Sequence, residues 1–188
     1  MSLEYAILGV LQYKPASGYN IKKILDTSIN HFWYADQSQI YRTLSKMEKD
    51  EWINMDLIIQ SNKPSSKVYH ITEKGKEEFL NWLNSPMQMV QHKIPWLMQF
   101  FFAARLSDEA IINILEQVSE QIKKRINVNT SNNLQENKAY KVAFTERDLF
   151  FMELTHDYGL MIHQSILQWV EKVIAQIKKT EHPTCGKE

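Results

Sequence analysis

Four side chains able to hydrogen-bond bases or phosphates recur at helical spacing: Gln39, Arg42, Thr43 and Lys46 stand at i, i+3, i+4 and i+7. Such positions share one face of a helix. Arginine can pair bidentately with guanine and glutamine with adenine, each good pair giving about 1–3 kcal/mol of discrimination, so this face has the chemistry of base reading. The plainer alternative is that these groups meet only phosphate or water. Tyr41, beside them, can give its hydroxyl to a phosphate or turn into the core, and Ser38 stands at the start of the same run. Further along, Lys63 and Lys67 occur in a stretch without acids, where they suit phosphate contacts that set register without carrying sequence information. The expected DNA-binding set is Ser38, Gln39, Tyr41, Arg42, Thr43, Lys46, Lys63 and Lys67.

A second group lies in the C-terminal half. Trp96, Phe100, Phe101, Phe102, Tyr158 and Trp169 could wall a pocket for a flat aromatic ligand, with His156 and His163 as polar anchors. Core packing and dimer contact explain most of these residues as well. The expected effector contacts are Trp96, Phe100, His156, Tyr158 and His163. Seven residues of helix separate the two histidines by about 10 Å, too far for one zinc, so no metal is expected. No glycine-rich phosphate loop, G-x-S-x-G elbow, H-E-x-x-H pair or cysteine cluster occurs, and neither a catalytic residue nor a cofactor is expected.

The chain of 188 residues suits one ordinary domain or two small ones, and 44% hydrophobic content allows a real core. Its formal net charge of zero argues against the general basicity common in DNA binders. Placement matters more than the sum, because counterion release depends on the charges that reach phosphates. Arg42, Lys46 and Lys49 face only Glu48 in the helical stretch, and Lys63 and Lys67 face no acid in the hairpin, so these segments hold a net of four positive charges. The lone cysteine, Cys185, excludes an intramolecular disulfide. No apolar run of about 18 residues occurs and the start lacks a basic leader region, so a cytoplasmic protein without membrane contact is expected.

The elements that must position these residues follow from periodicity. Leu3, Ile7, Leu8 and Leu11 mark a first helix closed by Pro15, and Ser17 caps a second that buries Ile21, Ile24 and Leu25. A third starts near Asp36 to Ser38 and buries Ile40, Leu44 and Met47. The period then changes: Trp52 to Ile59 reads as one strand, Val68 to Ile71 as its partner, and Ser61 to Ser66 as the turn between them. Thr72 opens a fourth helix expected to bury Phe79, Leu80, Trp82 and Leu83. Helix followed at once by hairpin is the order of a winged helix-turn-helix with a two-stranded wing.

Beyond a joint at Pro86 to Lys93 everything reads helical. Ile94 to Leu106 is apolar almost all round, Ser107 caps a long helix, and a last helix runs from about Thr145 to Lys179. At roughly 1.5 Å per residue that helix is about 50 Å long, more than one small helical domain covers, which predicts a symmetric dimer; the plainer alternative is one self-contained helical domain with all this surface internal. A mainly α protein is expected, with a DNA-binding winged helix-turn-helix over 1–85 and a helical dimerisation and effector-binding domain over 86–188.

The stretches P-A-S-G-Y-N-I-K-K-I-L, F-W-Y-A-D-Q-S-Q-I-Y-R-T-L-S-K-M-E and K-V-Y-H-I-T-E-K-G, with F-F-F-A-A-R-L-S near Phe100 and the long closing helix, resemble the PadR family of bacterial transcriptional regulators. The likeness covers nearly the whole chain. It implies a homodimer on a near-palindromic operator in double-stranded DNA, usually a repressor, often released by a small effector such as a phenolic acid. The chain departs from the family pattern at Asp50-Glu51, where a glycine is common, and at Ser65-Ser66, where proline and arginine are frequent. A competing expectation is a winged-helix adaptor that binds a ligand or protein without reading DNA.

Overall fold

The computed structural model describes residues 3–30, 32–60, 63–87, 93–131 and 144–179. They belong to two compact units, Met1–Gln88 and Met89–Glu188.

In the first unit, α1 (Leu3–Leu11), β1 (Ala16–Ser17), α2 (Gly18–Ser28), α3 (Gln37–Lys49), β2 (Ile53–Gln60), β3 (Lys63–Ile71) and α4 (Glu73–Leu83) follow in order. The helix starts are set by side-chain caps. The Asn20 N–H donates to Ser17 Oγ at 3.3 Å, and the Gly75 N–H donates to Thr72 Oγ1 at 3.0 Å. At α3 the Gln39 N–H donates to Asp36 Oδ1 while the Asp36 N–H donates back to Gln39 Oε1, a reciprocal capping box that satisfies two otherwise orphaned donors.

The apolar spacings converge on one core. Ile7 and Leu8 of α1, Ile21 of α2, and Ile40, Leu44 and Met47 of α3 are fully buried, with Ile53 and Tyr69 from the sheet against them. The sheet has the antiparallel order β1-β3-β2, with Ala16 opposite Tyr69 and Ile53 opposite Ile71. The two-stranded wing therefore gains a short third strand that periodicity does not reveal.

Two expectations need correction. Lys63 to Ser66 belongs to β3 rather than to the turn: Gln60 pairs with Lys63 and Ile58 with Ser66, across an irregularity between Ile58 and Gln60. Proline lacks a ladder donor, and Pro64 is accommodated beside that irregularity and near the strand start. The fourth helix also buries less than expected. Phe79 packs toward α1 and Trp82 stacks on Tyr5 with ring centroids 4.7 Å apart while its outer edge stays exposed, and Leu80 and Leu83 are exposed.

The second unit contains α5 (Pro95–Phe101), a 3-10 turn (Ala103–Arg105), α6 (Asp108–Ser131) and α7 (Glu146–Lys179). The stretch from Ile94 to Leu106 is thus broken rather than one helix. Ser107 caps α6 through the Ala110 N–H, and Thr145 and Asp148 cap α7 reciprocally. Helices α6 and α7 pack along Ile111, Leu115 and Val170, with Ile166, Trp169 and Val173 against them. Among the described residues no helix is long and apolar enough to cross a membrane, and no cluster of metal-ligating side chains occurs.

Candidate nucleic-acid interface

Burying Ile40, Leu44 and Met47 turns the opposite face of α3 outward. There Gln39, Arg42, Thr43 and Lys46 line one open concavity of about 400 Å³, completed by Leu3 of α1 and by Trp33 and Tyr34 from the segment before α3. The four residues singled out by spacing are therefore brought together.

They are not equally free. Ser38 donates its hydroxyl to Asp36 Oδ1 at 2.6 Å, and Gln39 spends its carbonyl oxygen on the cap, so both also serve the start of the helix. These hydrogen bonds, that of Ser38 first and then the Gln39 N–H, hold the Asp36 carboxyl below its ordinary range. Arg42 is exposed and Thr43 half-buried. Tyr41 lies around the helix from the stripe, its ring so close over Gly18 that a Cβ there would meet Tyr41 Cε1 at 2.6 Å. A glycine at the start of α2 is what makes room for that ring.

Lys46 has a partner that spacing could not reveal. Its Nζ donates to Glu4 Oε1 at 2.9 Å, and Glu4 lies in the first turn of α1 with its side chain only 12% exposed. Burial pushes the Glu4 carboxyl up, but the hydrogen bond and positive charge of Lys46 prevail and hold it below the usual value. The same hydrogen bond and the Glu4 charge raise the Lys46 ammonium.

The turn after α3 forms without glycine. Glu51 takes the left-handed conformation itself, with φ of 61°, the one non-glycine residue to do so among those described. The Thr72 hydroxyl donates to its carbonyl at 2.8 Å, and Lys74 approaches its carboxylate at 3.3 Å. Helix α3 is thereby tied to the wing. On the wing Lys67 is exposed and lies opposite Leu57, and His70 Nε2 sits 3.0 Å from Asp56 Oδ2 across the strands. Lys63 begins β3 by its backbone, while its side chain lies outside what is described.

In the second unit Trp96 and Phe100 meet Trp169, with centroids 5.7 and 5.3 Å apart. Tyr158 is exposed on α7, eleven residues and about 16 Å of helix rise from Trp169, so it does not join that aromatic group. His163 Nδ1 is shielded from solvent and has no hydrogen-bond partner among the described residues. His156 lies on the same helix, half-buried.

A three-helix core, a capped outward-facing helix and a hairpin directly behind it define a winged helix-turn-helix protein of the regulator type. Comparison with known proteins narrows the class. Residues 7–81 match the Transcriptional regulator PadR-like family, and residues 93–178 match the Virulence activator alpha C-term family. The chain is 39% identical to a probable transcriptional regulator of Mycobacterium tuberculosis over 46% of each chain. It is 28% identical to the negative transcriptional regulator PadR of Bacillus subtilis, over 94% of this chain and 98% of that protein. The structure of that Bacillus subtilis protein in complex with operator DNA superposes with a TM-score of 0.78 at 27% identity, covering 94% of this chain and 99% of that one. The same protein in complex with p-coumaric acid shares the fold, with a TM-score of 0.72 at 23% identity over 95% and 99% of the two chains. This chain belongs to the PadR-like family of transcriptional regulators, which are not enzymes.

Proposed function

We propose that this chain is a repressor that binds a near-palindromic operator as a homodimer, with residues 1–85 reading DNA and residues 86–188 forming the dimer. The observation that carries the reading is the stripe of Gln39, Arg42, Thr43 and Lys46 on one concave face of α3, directly ahead of a wing that bears Lys67. In a symmetric dimer the two α3 helices enter successive major grooves about 34 Å apart. Arg42 reads a base edge, Gln39, Thr43 and Lys46 flank it, and Ser38, Tyr41, Lys63 and Lys67 hold the phosphate backbone.

The apolar surface of α7 supports the dimer. Phe150, Leu154, Tyr158, Met161 and Ile162 are all exposed and fall within about 120° of the helix circumference, a continuous stripe that a second copy would cover. A small aromatic acid is the proposed effector, lodged beside Trp96 and Phe100 with His163 as its polar anchor, while Tyr158 and His156 lie further along α7 and outside its reach. The aromatic contacts to Trp169 and the His163 nitrogen that has no partner among the described residues suit such a ligand, and the p-coumaric acid complex of the Bacillus subtilis relative supports its class.

A labelled duplex from the promoter of the protein's own gene, titrated at several salt concentrations with and without a panel of phenolic acids, tests the reading. Salt-sensitive, saturable binding is expected, weakened roughly 10- to 100-fold by Arg42→Ala. Absence of salt-sensitive binding would favour the adaptor instead. Binding that no phenolic acid releases would remove the effector and leave the DNA assignment intact.

A further inference from the structure

We propose that Glu4 is a specificity-determining residue of the DNA-reading face, an internal stand-in for a DNA phosphate that holds Lys46 when no phosphate does. The inference rests on the DNA-binding reading given above and adds to it a residue outside α3 and the wing.

Lys46 and Glu4 lie 42 residues apart in sequence, yet their 2.9 Å hydrogen bond brings a carboxylate from the start of α1 to the edge of the concavity that Lys46 lines with Arg42 and Thr43. The two partners are held unequally. Glu4 is mostly buried and sits where the α1 dipole favours an anion, so it is already in place. Lys46 is half exposed on a flexible four-carbon stem and can leave. With the lysine of the pair half exposed to solvent, the contact is screened and adds only modestly to folding stability.

Its effect on DNA is larger. An ammonium gains affinity for duplex by displacing condensed counterions, and each phosphate neutralised adds about 0.9 to the slope of log affinity against log salt. Lys46 already has an anion, so a phosphate reaching it must displace a carboxylate that then remains beside the backbone. Any duplex faces this competition. Only a sequence that also satisfies Arg42 and its neighbours supplies contacts to offset it, so Glu4 lowers background binding more than operator binding. The formally neutral chain thus loses one of the few cations on its reading face until a good site is found.

The test compares the full-length parent, Glu4→Gln and the double variant Glu4→Gln with Lys46→Met. Each is titrated against the promoter duplex and an unrelated duplex of equal length over a range of salt, with thermal melts confirming equal folding. Glu4→Gln is expected to bind the unrelated duplex roughly tenfold more tightly per protomer at about 0.1 M salt, with the salt slope steeper by about 0.9 per protomer. The promoter duplex should gain less, so the ratio between the two falls. The double variant should lose the gain. If the parent binds its promoter but Glu4→Gln leaves the salt slope unchanged, the inference is overturned. Loss of promoter binding alone would also overturn it, since Glu4 would then be orienting Lys46. A parent that binds neither duplex removes the DNA-binding reading and this inference together.

Discussion

The two units solve the burial problem differently. In the N-terminal unit three helices and a sheet enclose twelve buried apolar residues, so the fold around α3 is complete within one chain. In the C-terminal unit the packed cluster of α6 and α7 has three buried members among the described residues, while Phe150, Phe151, Leu154, Tyr158, Met161 and Ile162 stay exposed along α7. Exposed apolar stripes of that extent mark interaction surfaces. One half encloses its helix within the chain, and the other leaves open the stripe that the proposed dimer would cover.

That contrast can be broken from either side. The largest effect is expected from Gly75→Ala. A Cβ at Gly75 would lie 2.1 Å from the Trp52 carbonyl oxygen, a backbone atom that no rotamer change relieves. Destabilisation on the order of 3 kcal/mol, read by denaturant titration, is expected for the N-terminal unit. A variant that melts with the parent would show that α4 does not depend on this close approach.

Next comes Met161→Glu on the exposed stripe of α7. The chain should stay folded by circular dichroism, while dimerisation weakens by about 2 kcal/mol or more, measured by sedimentation across a micromolar range. An unchanged assembly state would place the dimer contact elsewhere. The smallest effect sharpens the comparison rather than breaking it. Glu51→Gly relieves a left-handed residue in the self-sufficient unit at the loss of one exposed contact to Lys74, and should stabilise by up to about 1 kcal/mol in the same titration. A lower midpoint would mean that the Lys74 contact outweighs the strain.

What could be read in advance depended on how local the cause was. Ser17, Asp36, Thr72 and Ser107 cap helices through bonds to residues three positions on, so adjacent sequence contains the whole interaction. Ile40, Leu44 and Met47 fixed which face of α3 turns outward, and with it the stripe of candidate readers. Strand β1 escaped because two residues carry no period; its existence depends on Tyr69 and Val68, more than fifty positions away. The burial assigned to Leu80 and Leu83 failed for a related reason: periodicity marks an apolar face but not whether the same chain covers it. The Glu4–Lys46 contact joins residues 42 positions apart, and the requirement for glycine at 75 comes from a carbonyl 23 positions before it. Neither leaves a local trace.

The distribution of tryptophans has an optical consequence. Trp33 borders the concavity on α3, Trp52 and Trp82 flank Tyr5, and Trp96 and Trp169 lie together in the other unit. With the ring centroids of Trp96 and Trp169 only 5.7 Å apart, their excited states are coupled, and a ligand lodging beside them should alter the near-ultraviolet dichroism of that pair. Duplex on the other unit should instead change the emission of Trp33. A single chain thus carries separate intrinsic chromophores for its two halves, and substituting Trp33 alone would separate their signals.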